Sequence, residues 1–163
     1  MLRTLYIEET AIHKGIAQTV WLGRMTKVAE HPYIYVDGAH NVAAWEYLRT
    51  SVEKYFTNRR VIYIIGVLKD KEYEKMVEIL APTMAAAVVV TPDTPRGLPK
   101  EILAPLIQAQ GVPVQLADTS AEALQKAREQ AGETGVILVS GSLSFLAEYL
   151  QLESGDENNG ASR

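Results

Sequence analysis

Five short apolar runs alternate with longer amphipathic stretches along this chain of 163 residues. The runs lie at residues 32–37, 61–66, 85–91, 112–117 and 135–140. They are rich in β-branched side chains and nearly free of charge. A strand with one face in water alternates apolar and polar residues, whereas a continuous apolar run is typical of a strand buried on both faces. The runs therefore predict the strands of a mostly parallel sheet.

The stretches between these runs repeat apolar residues at steps of three and four, which is the period of a helix. Such repeats lie at residues 42–55, 73–80, 102–107 and 123–127, and a last helix is expected at 142–152. Ser120, just before one of them, is a residue type that often caps a helix N-terminus. The alternation of strand and helix predicts a three-layer, Rossmann-like α/β domain, with about six strands and helices on both faces of the sheet.

Three further segments flank this pattern. Residues 25–30 have the composition of a short strand, and a turn at His31 and Pro32 would pair it with residues 33–36. This hairpin predicts an antiparallel edge strand. Upstream, residues 8–20 have helical spacing, and downstream residues 153–163 contain so few apolar side chains that a disordered tail is expected.

Composition narrows the classes of function. Sixteen Lys and Arg against twenty Asp and Glu give a net charge of −4, and no basic block is present. We therefore expect no nucleic-acid binding, which depends on clustered basic residues. No apolar run approaches the roughly 20 residues that span a bilayer, and the absence of cysteine suits a reducing compartment. The sequence predicts a cytoplasmic protein without a membrane segment.

Candidate chemistry lies where the predicted strands end. Ligands of open α/β sheets bind beyond the carboxyl ends of the strands. The loops at those ends cover residues 37–41, 66–71, 91–97, 117–120 and 140–143. In the first loop the Asp37 carboxylate could accept a hydrogen bond from a ribose hydroxyl, and the His40 imidazole could donate to an anion. Alternatively, Asn41 is only a helix cap, Asp37 a turn acceptor and His40 a surface residue.

Two other loops allow a similar choice. Ser140, Gly141 and Ser142 could form an anion-binding nest of backbone amides and a hydroxyl, or a plain helix cap. The lysines of residues 69–71 could contact phosphate or simply be a solvated helix start. The sequence contains neither a GxxxxGK[ST] phosphate loop nor a GxGxxG fingerprint, and no histidine pair has metal-ligand spacing. We therefore expect no metal site in this chain.

Five motifs, taken in order, extend this interpretation. They are WLGR at residues 21–24, DGAHN at 37–41, GVLKDK at 66–71, TPDTPR at 91–96 and SGSL at 140–143. The ordered set resembles the carboxy-terminal domain of folylpolyglutamate synthase/dihydrofolate synthase, in the Mur ligase superfamily of ATP-dependent amide ligases. The resemblance implies a Mur-ligase-type domain at residues 21–152.

The resemblance also implies a reaction and roles for individual residues. ATP phosphorylates a folate carboxylate, and the amino group of L-glutamate attacks the acyl phosphate. Arg24 and Asp37 match residues that contact ATP. His40 and Ser142 match positions associated with glutamate, and Arg96 matches an arginine that binds an amino-acid carboxylate, although the murein-ligase motif DNPR is DTPR here. The supporting loop positions are Gly38, Asn41, Lys69, Asp70 and Lys71.

The resemblance places the phosphate loop and the Mg²⁺ ligands in an amino-terminal domain outside this sequence. Residues 1–20 match the connector helix that leads out of that domain. We therefore expect a monomer that binds no cofactor tightly, has no catalytic residue of its own, and requires a P-loop domain in cis or in trans. Two alternatives stay open, namely a stand-alone binding or regulatory module and the equivalent domain of a murein amino-acid ligase.

Overall fold

A computed structural model of the chain describes residues 24–142 and Tyr149. Within these residues six strands form a single sheet. The strands are β1 (Thr26–Glu30), β2 (Tyr33–Asp37), β3 (Val61–Ile65), β4 (Ala86–Val90), β5 (Val114–Ala117) and β6 (Val136–Ser140). Their order across the sheet is β1-β2-β6-β3-β4-β5. All neighbours are parallel except β1 and β2, which form an antiparallel hairpin.

Four α-helices connect the parallel strands of the described region. They are α1 (Val42–Tyr55), α2 (Tyr73–Leu80), α3 (Lys100–Ala109) and α4 (Ser120–Ala131), and a short 3₁₀ helix, Ala81–Thr83, follows α2. The connections through α1, α2 and α3 all advance across the sheet in one direction, from β2 towards β5, whereas α4 leads back from β5 to β6. Because such crossovers are right-handed, the reversal sends α4 to the opposite face.

Two apolar cores confirm the three layers. One core packs α1, α2 and α3 on the first face, and it includes Trp45, whose side chain is fully buried. The other core packs α4 and Tyr149 on the second face. Successive residues of β3 enter alternate cores, since Tyr63 belongs to the first and Ile64 to the second. All five residues of β3, β4 and β6 are buried, as their continuous apolar runs predict.

The sequence-based fold class is therefore confirmed, with two local corrections. Residues 112–117 were expected to form a strand buried on both faces, but β5 is the sheet edge, and its Gln115 and Leu116 are exposed. An edge strand has only one neighbour to cover it. Ser120 is not a helix cap, since it is the first residue of α4 and Thr119 caps the helix by accepting from the Glu122 amide at 3.1 Å.

Several predictions concern residues outside the described part of the chain. They include the connector at residues 1–20, the tail at 153–163 and nearly all of the helix expected at 142–152. Tyr149 is helical and fully buried in the second core, as expected of a residue of that last helix. The domain boundaries stay predictions.

Candidate functional site

Asp37 closes β2 and holds two segments together through its carboxylate. Oδ1 accepts from the Ala39 amide and Oδ2 from the Met25 amide, both at 2.8 Å. The residue is buried. Burial raises the pKa of Asp37, while the two amide hydrogen bonds and the Arg24 charge act to lower it. Asp37 is thus a turn acceptor, and each of its oxygens has a second lone pair.

Arg24 lies at the start of the hairpin, close enough for its charge to act on Asp37. The Met25 amide, which Asp37 anchors, follows Arg24 directly. Arg24 is exposed, whereas Asp37 is not. The two residues matched to ATP contacts are therefore brought together at one point, and the cation is the partner open to solvent.

The residues after Asp37 form a short turn into α1. His40 Nδ1 lies 2.7 Å from the Gly38 carbonyl oxygen. A carbonyl only accepts, so Nδ1 carries the proton, and in the neutral ring Nε2 is an acceptor. Asn41 caps α1, because its Oδ1 accepts from the Ala44 amide at 2.9 Å. Asn41 therefore has the structural role that the sequence left open, and the hydrogen bond of the His40 ring to Gly38 uses Nδ1 and not Nε2.

The loop after β6 packs directly against the loops after its two neighbours. Ser140 Oγ donates to the Ala39 carbonyl at 3.3 Å, and the Gly66 amide donates to the Ser140 carbonyl at 3.4 Å. Gly141 has φ +122°, and a Cβ there would lie 3.0 Å from the Gly66 carbonyl carbon and overlap the Gly66 oxygen. Ser142 follows and is buried. The Ser140–Ser142 loop thus lies between the loops that follow β2 and β3.

The loop after β3 is joined by its backbone to the loop after β4. Leu68 and Gly97 form an antiparallel bridge, and the Leu98 amide donates to the Val67 carbonyl at 2.9 Å. Lys69 adds two contacts, from its amide to the Arg96 carbonyl at 2.9 Å and from Nζ to the Pro95 carbonyl at 2.8 Å. Lys69 therefore has a structural role beside any contact with phosphate.

Arg96 meets Asp70 across these two loops. Its Nε donates to Oδ1 at 3.3 Å and its Nη2 to Oδ2 at 2.5 Å. Lys71 Nζ lies 3.8 Å from Oδ2 of the same carboxylate. The guanidinium holds the pKa of Asp70 below its ordinary value. Sequence reasoning assigned Asp70 only to a supporting loop, and nothing in the spacing of the two residues indicated that they pair.

Together these contacts make a continuous surface along the carboxyl ends of the strands. We call it the carboxyl-edge strip, and it comprises residues 37–41, 140–142, 66–71 and 91–97. Four of the five predicted loops lie in it. The strip straddles β6, whose flanking strands β2 and β3 are followed by helices on the first face. Tyr149, which follows β6, packs in the core on the second face. Open α/β sheets bind ligands at such a point, where neighbouring strands lead to opposite faces of the sheet.

The fifth predicted loop, residues 117–120, lies across a cleft of about 650 Å³ from Thr91 and its neighbours. Lys100 joins the two sides, since its amide donates to Thr91 Oγ1 at 3.0 Å and its ammonium pairs with Asp118. The pattern Thr119-x-x-Glu122 is the sequence signature of a capping box, although the Glu122 carboxylate accepts from the Asp118 amide, at 2.7 Å, and not from the Thr119 amide. That motif was visible in the sequence and identifies Thr119 as the cap.

Two classes of feature are missing from residues 24–142 and Tyr149. No three His, Asp or Glu side chains of this region are grouped so that they could hold a metal ion. None of its helices combines the length and the apolar character needed to cross a bilayer.

Known proteins resemble this chain in both sequence and fold. The dihydrofolate synthase/folylpolyglutamate synthase of Bacillus subtilis is 28% identical over 144 residues, 88% of this chain and 33% of that protein. Its namesake in Escherichia coli is 30% identical over 148 residues, 91% of this chain and 34% of that protein. The structure of Escherichia coli FolC in complex with DHPP and ADP matches with a TM-score of 0.85 at 29% identity, covering 94% of this chain and 36% of that one.

This chain thus spans about a third of the length of those relatives. The profile of the family described as Mur ligase, glutamate ligase domain, matches residues 23–143. That range contains the whole carboxyl-edge strip, and the predicted resemblance is confirmed. The chain therefore belongs to the Mur ligase family, as a glutamate ligase domain.

Proposed function

We propose that this domain supplies ATP and glutamate contacts at the interdomain cleft of an ATP-dependent ligase that adds L-glutamate to folates. The observation that carries the proposal is the carboxyl-edge strip, in which hydrogen bonds between neighbouring loops link the segments that carry the Arg24–Asp37 pair, His40, Ser142 and Arg96. In this reaction a folate carboxylate takes the terminal phosphoryl group of ATP, and ADP leaves. The glutamate amine then forms the amide bond as phosphate departs.

The nucleotide side of the strip fits its proposed ligand. Arg24 is exposed at the edge and presents a guanidinium, which suits the oxygens of a phosphate. Asp37 is held rigidly by two amides, and its remaining lone pairs can accept from ribose hydroxyls. Because the Asp37 carboxylate is fixed before ATP arrives, it needs little ordering when the domains close.

The glutamate side has complementary chemistry. Arg96 offers a planar fork for a carboxylate. His40, with Nδ1 bonded to the Gly38 carbonyl, directs a lone pair on Nε2 towards a donor such as the incoming amine or its ammonium. Ser142 lies beside Gly141 at the reversal of the sheet. A cation for the carboxylate and an acceptor for the amine are what an amino-acid substrate requires.

The remaining parts of the reaction are assigned to a second domain. We place the phosphate loop and the Mg²⁺ ligands in a P-loop domain, and the protein in the cytoplasm as a monomer. Phosphoryl transfer depends on positioning and on electrostatic stabilisation of the terminal phosphates. The residues described above bind and orient the ribose and the incoming amino acid, and we derive no step for the metal.

The test uses a two-domain protein in which this chain is joined to the P-loop domain of the Escherichia coli relative. Arg24→Gln should reduce ATP- and glutamate-dependent ADP release at least about tenfold, the loss expected when one charge-assisted phosphate contact is removed. Arg49→Gln is the matched control, since Arg49 is an arginine on α1 that pairs with Glu53 outside the strip. Equal activity of the two variants would refute the assignment of Arg24 to ATP.

A further inference from the structure

The Asp70–Arg96 pair leaves half of the guanidinium free to bind. An arginine can form two bidentate pairs, one through Nε and Nη2 and one through the two terminal nitrogens. Asp70 takes the first edge, at 3.3 and 2.5 Å. Within residues 24–142 and Tyr149 no hydrogen bond involves Nη1, and more than half of the Arg96 side chain is exposed. The terminal edge therefore points to solvent, ready for a second carboxylate.

The backbone brings the two partners together before the side chains pair. The Lys69 amide bonds the Arg96 carbonyl, and the Leu68–Gly97 bridge lies beside it. Asp70 and Arg96 are 26 residues apart in sequence, yet an isolated backbone bridge joins their loops. The loops therefore meet through their backbones, and forming the ion pair orders only the two side chains.

The local charge is also suited to an anion. Lys71 Nζ lies 3.8 Å from Asp70 Oδ2, so the carboxylate lies between two cations. The lowered pKa of Asp70 agrees with this surplus of positive charge. An approaching carboxylate therefore meets a net positive group, and repulsion by Asp70 is offset by Lys71.

Stability does not account for the pair. Its side chains are 46% and 58% exposed, and a surface ion pair of this kind contributes little to the free energy of folding. Removing it should therefore leave the fold intact, so that an effect on binding can be measured separately.

We infer that Asp70 is a positioning residue, which holds Arg96 by one edge so that the other edge captures the carboxylate of the incoming amino acid. The identity of that amino acid as L-glutamate rests on the function proposed above, whereas the positioning of Arg96 does not.

The experiment is an NMR titration of the ¹⁵N-labelled 163-residue chain. The Arg96 Nε–H resonance is followed while L-glutamate or acetate is added, for the wild-type chain and for Asp70→Asn. Asp118→Asn is the matched control, since it removes one charge at the same sheet edge from a carboxylate that pairs with Lys100. Thermal melts of the wild type and Asp70→Asn should agree closely, as expected for an exposed pair. The melt of Asp118→Asn is measured as well, because its partner Lys100 has a side chain that is only 13% exposed.

The wild-type Arg96 Nε–H signal should be sharp and should shift with both probes, more at a given concentration with glutamate. In Asp70→Asn the signal should broaden without ligand, and glutamate should bind about threefold to tenfold more weakly, as expected when the arginine must be ordered on binding. Asp118→Asn should behave as wild type. The difference should persist at high salt, which screens general charge effects.

Two results would overturn the inference. One is a glutamate affinity in Asp70→Asn that equals or exceeds that of the wild type, and the other is a wild-type Arg96 signal that responds to neither probe. If glutamate and acetate bind equally and Asp70→Asn weakens both, the positioning role holds and the assignment to glutamate fails.

Discussion

Replacing Gly141 with alanine should disturb the centre of the carboxyl-edge strip. Gly141 follows β6, and its φ of +122° lies in a region that L side chains rarely adopt. An added Cβ would overlap the Gly66 carbonyl oxygen and lie 3.0 Å from Val67 Cγ1. The Gly66 atoms are backbone atoms that directly follow the buried strand β3, so they cannot rotate away as the end of a flexible side chain would.

The cost has two parts. The unfavourable φ contributes about 1–3 kcal/mol, and forced repacking against the Gly66 backbone contributes about 1–3 kcal/mol more. A total near 4 kcal/mol is a large fraction of the stability of a typical domain, which is about 5–15 kcal/mol. For a chain of this length each kcal/mol lowers the melting temperature by roughly 2–4 °C, so a decrease of about 8–16 °C is expected.

The assay is urea and thermal unfolding of the purified chain, with Gly132→Ala as the matched control. Gly132 ends α4 with φ +62°, and a Cβ there would meet no atom within 4 Å. It therefore carries only the strain of a backbone conformation that glycine alone adopts readily, with φ +62° and ψ −165°, about 1–3 kcal/mol. The difference between the two variants isolates the contact between Gly141 and Gly66. If Gly141→Ala is no less stable than Gly132→Ala, the result would contradict the close contact between the loops that contain Gly141 and Gly66.

Three further predictions follow from the same region. Arg24→Gln should raise the pKa of Asp37 further, which a carboxyl ¹³C titration by NMR would measure; an unchanged pKa would contradict the Arg24 contribution. Because that pKa is already raised, the contribution of Asp37 to stability is fully present below the ordinary aspartate pKa and is lost as pH rises through its folded value. Asn41→Ala should lower the free energy of unfolding by about 1 kcal/mol through loss of the α1 cap, and a change below a few tenths in urea unfolding would argue against that role. In the two-domain protein, His40→Ala should raise the Michaelis constant for glutamate more than that for ATP, and the reverse pattern would exclude His40 from the glutamate side.

The sequence predicts the central strands of the sheet because both faces of the sheet require apolar side chains there. Each residue of β3, β4 and β6 meets a core, so the apolar run is continuous and identifies the strand. The hairpin of β1 and β2 is equally local, since its turn lies at His31 and Pro32. The edge position of β5 cannot be predicted from its own residues, because it depends on the order of the strands in the sheet. Its exposure therefore follows from the structure and not from the sequence.

The sequence predicts which residues belong to the candidate site, but not which residues they contact. Motif order identified the loops that carry Asp37, His40 and Arg96. It did not show that Asp37 is held by the Met25 amide or that Arg96 pairs with Asp70, because these contacts depend on how distant loops meet. The contact between Asp37 and the Met25 amide decides which variant should be used to test the nucleotide contact. Since Asp37 supports the backbone, replacing it tests folding and binding together, so exposed Arg24 is the cleaner probe of the nucleotide contact.

The central claim is that this chain contains the glutamate side of a ligase site and requires a P-loop domain to act. The most direct measurement is ADP release with ATP, Mg²⁺, a folate and L-glutamate, made on the 163-residue chain alone and on the two-domain protein. We predict no release above the blank from the chain alone, and release that depends on both folate and glutamate from the two-domain protein. Folate- and glutamate-dependent ADP release by the chain alone would contradict the claim.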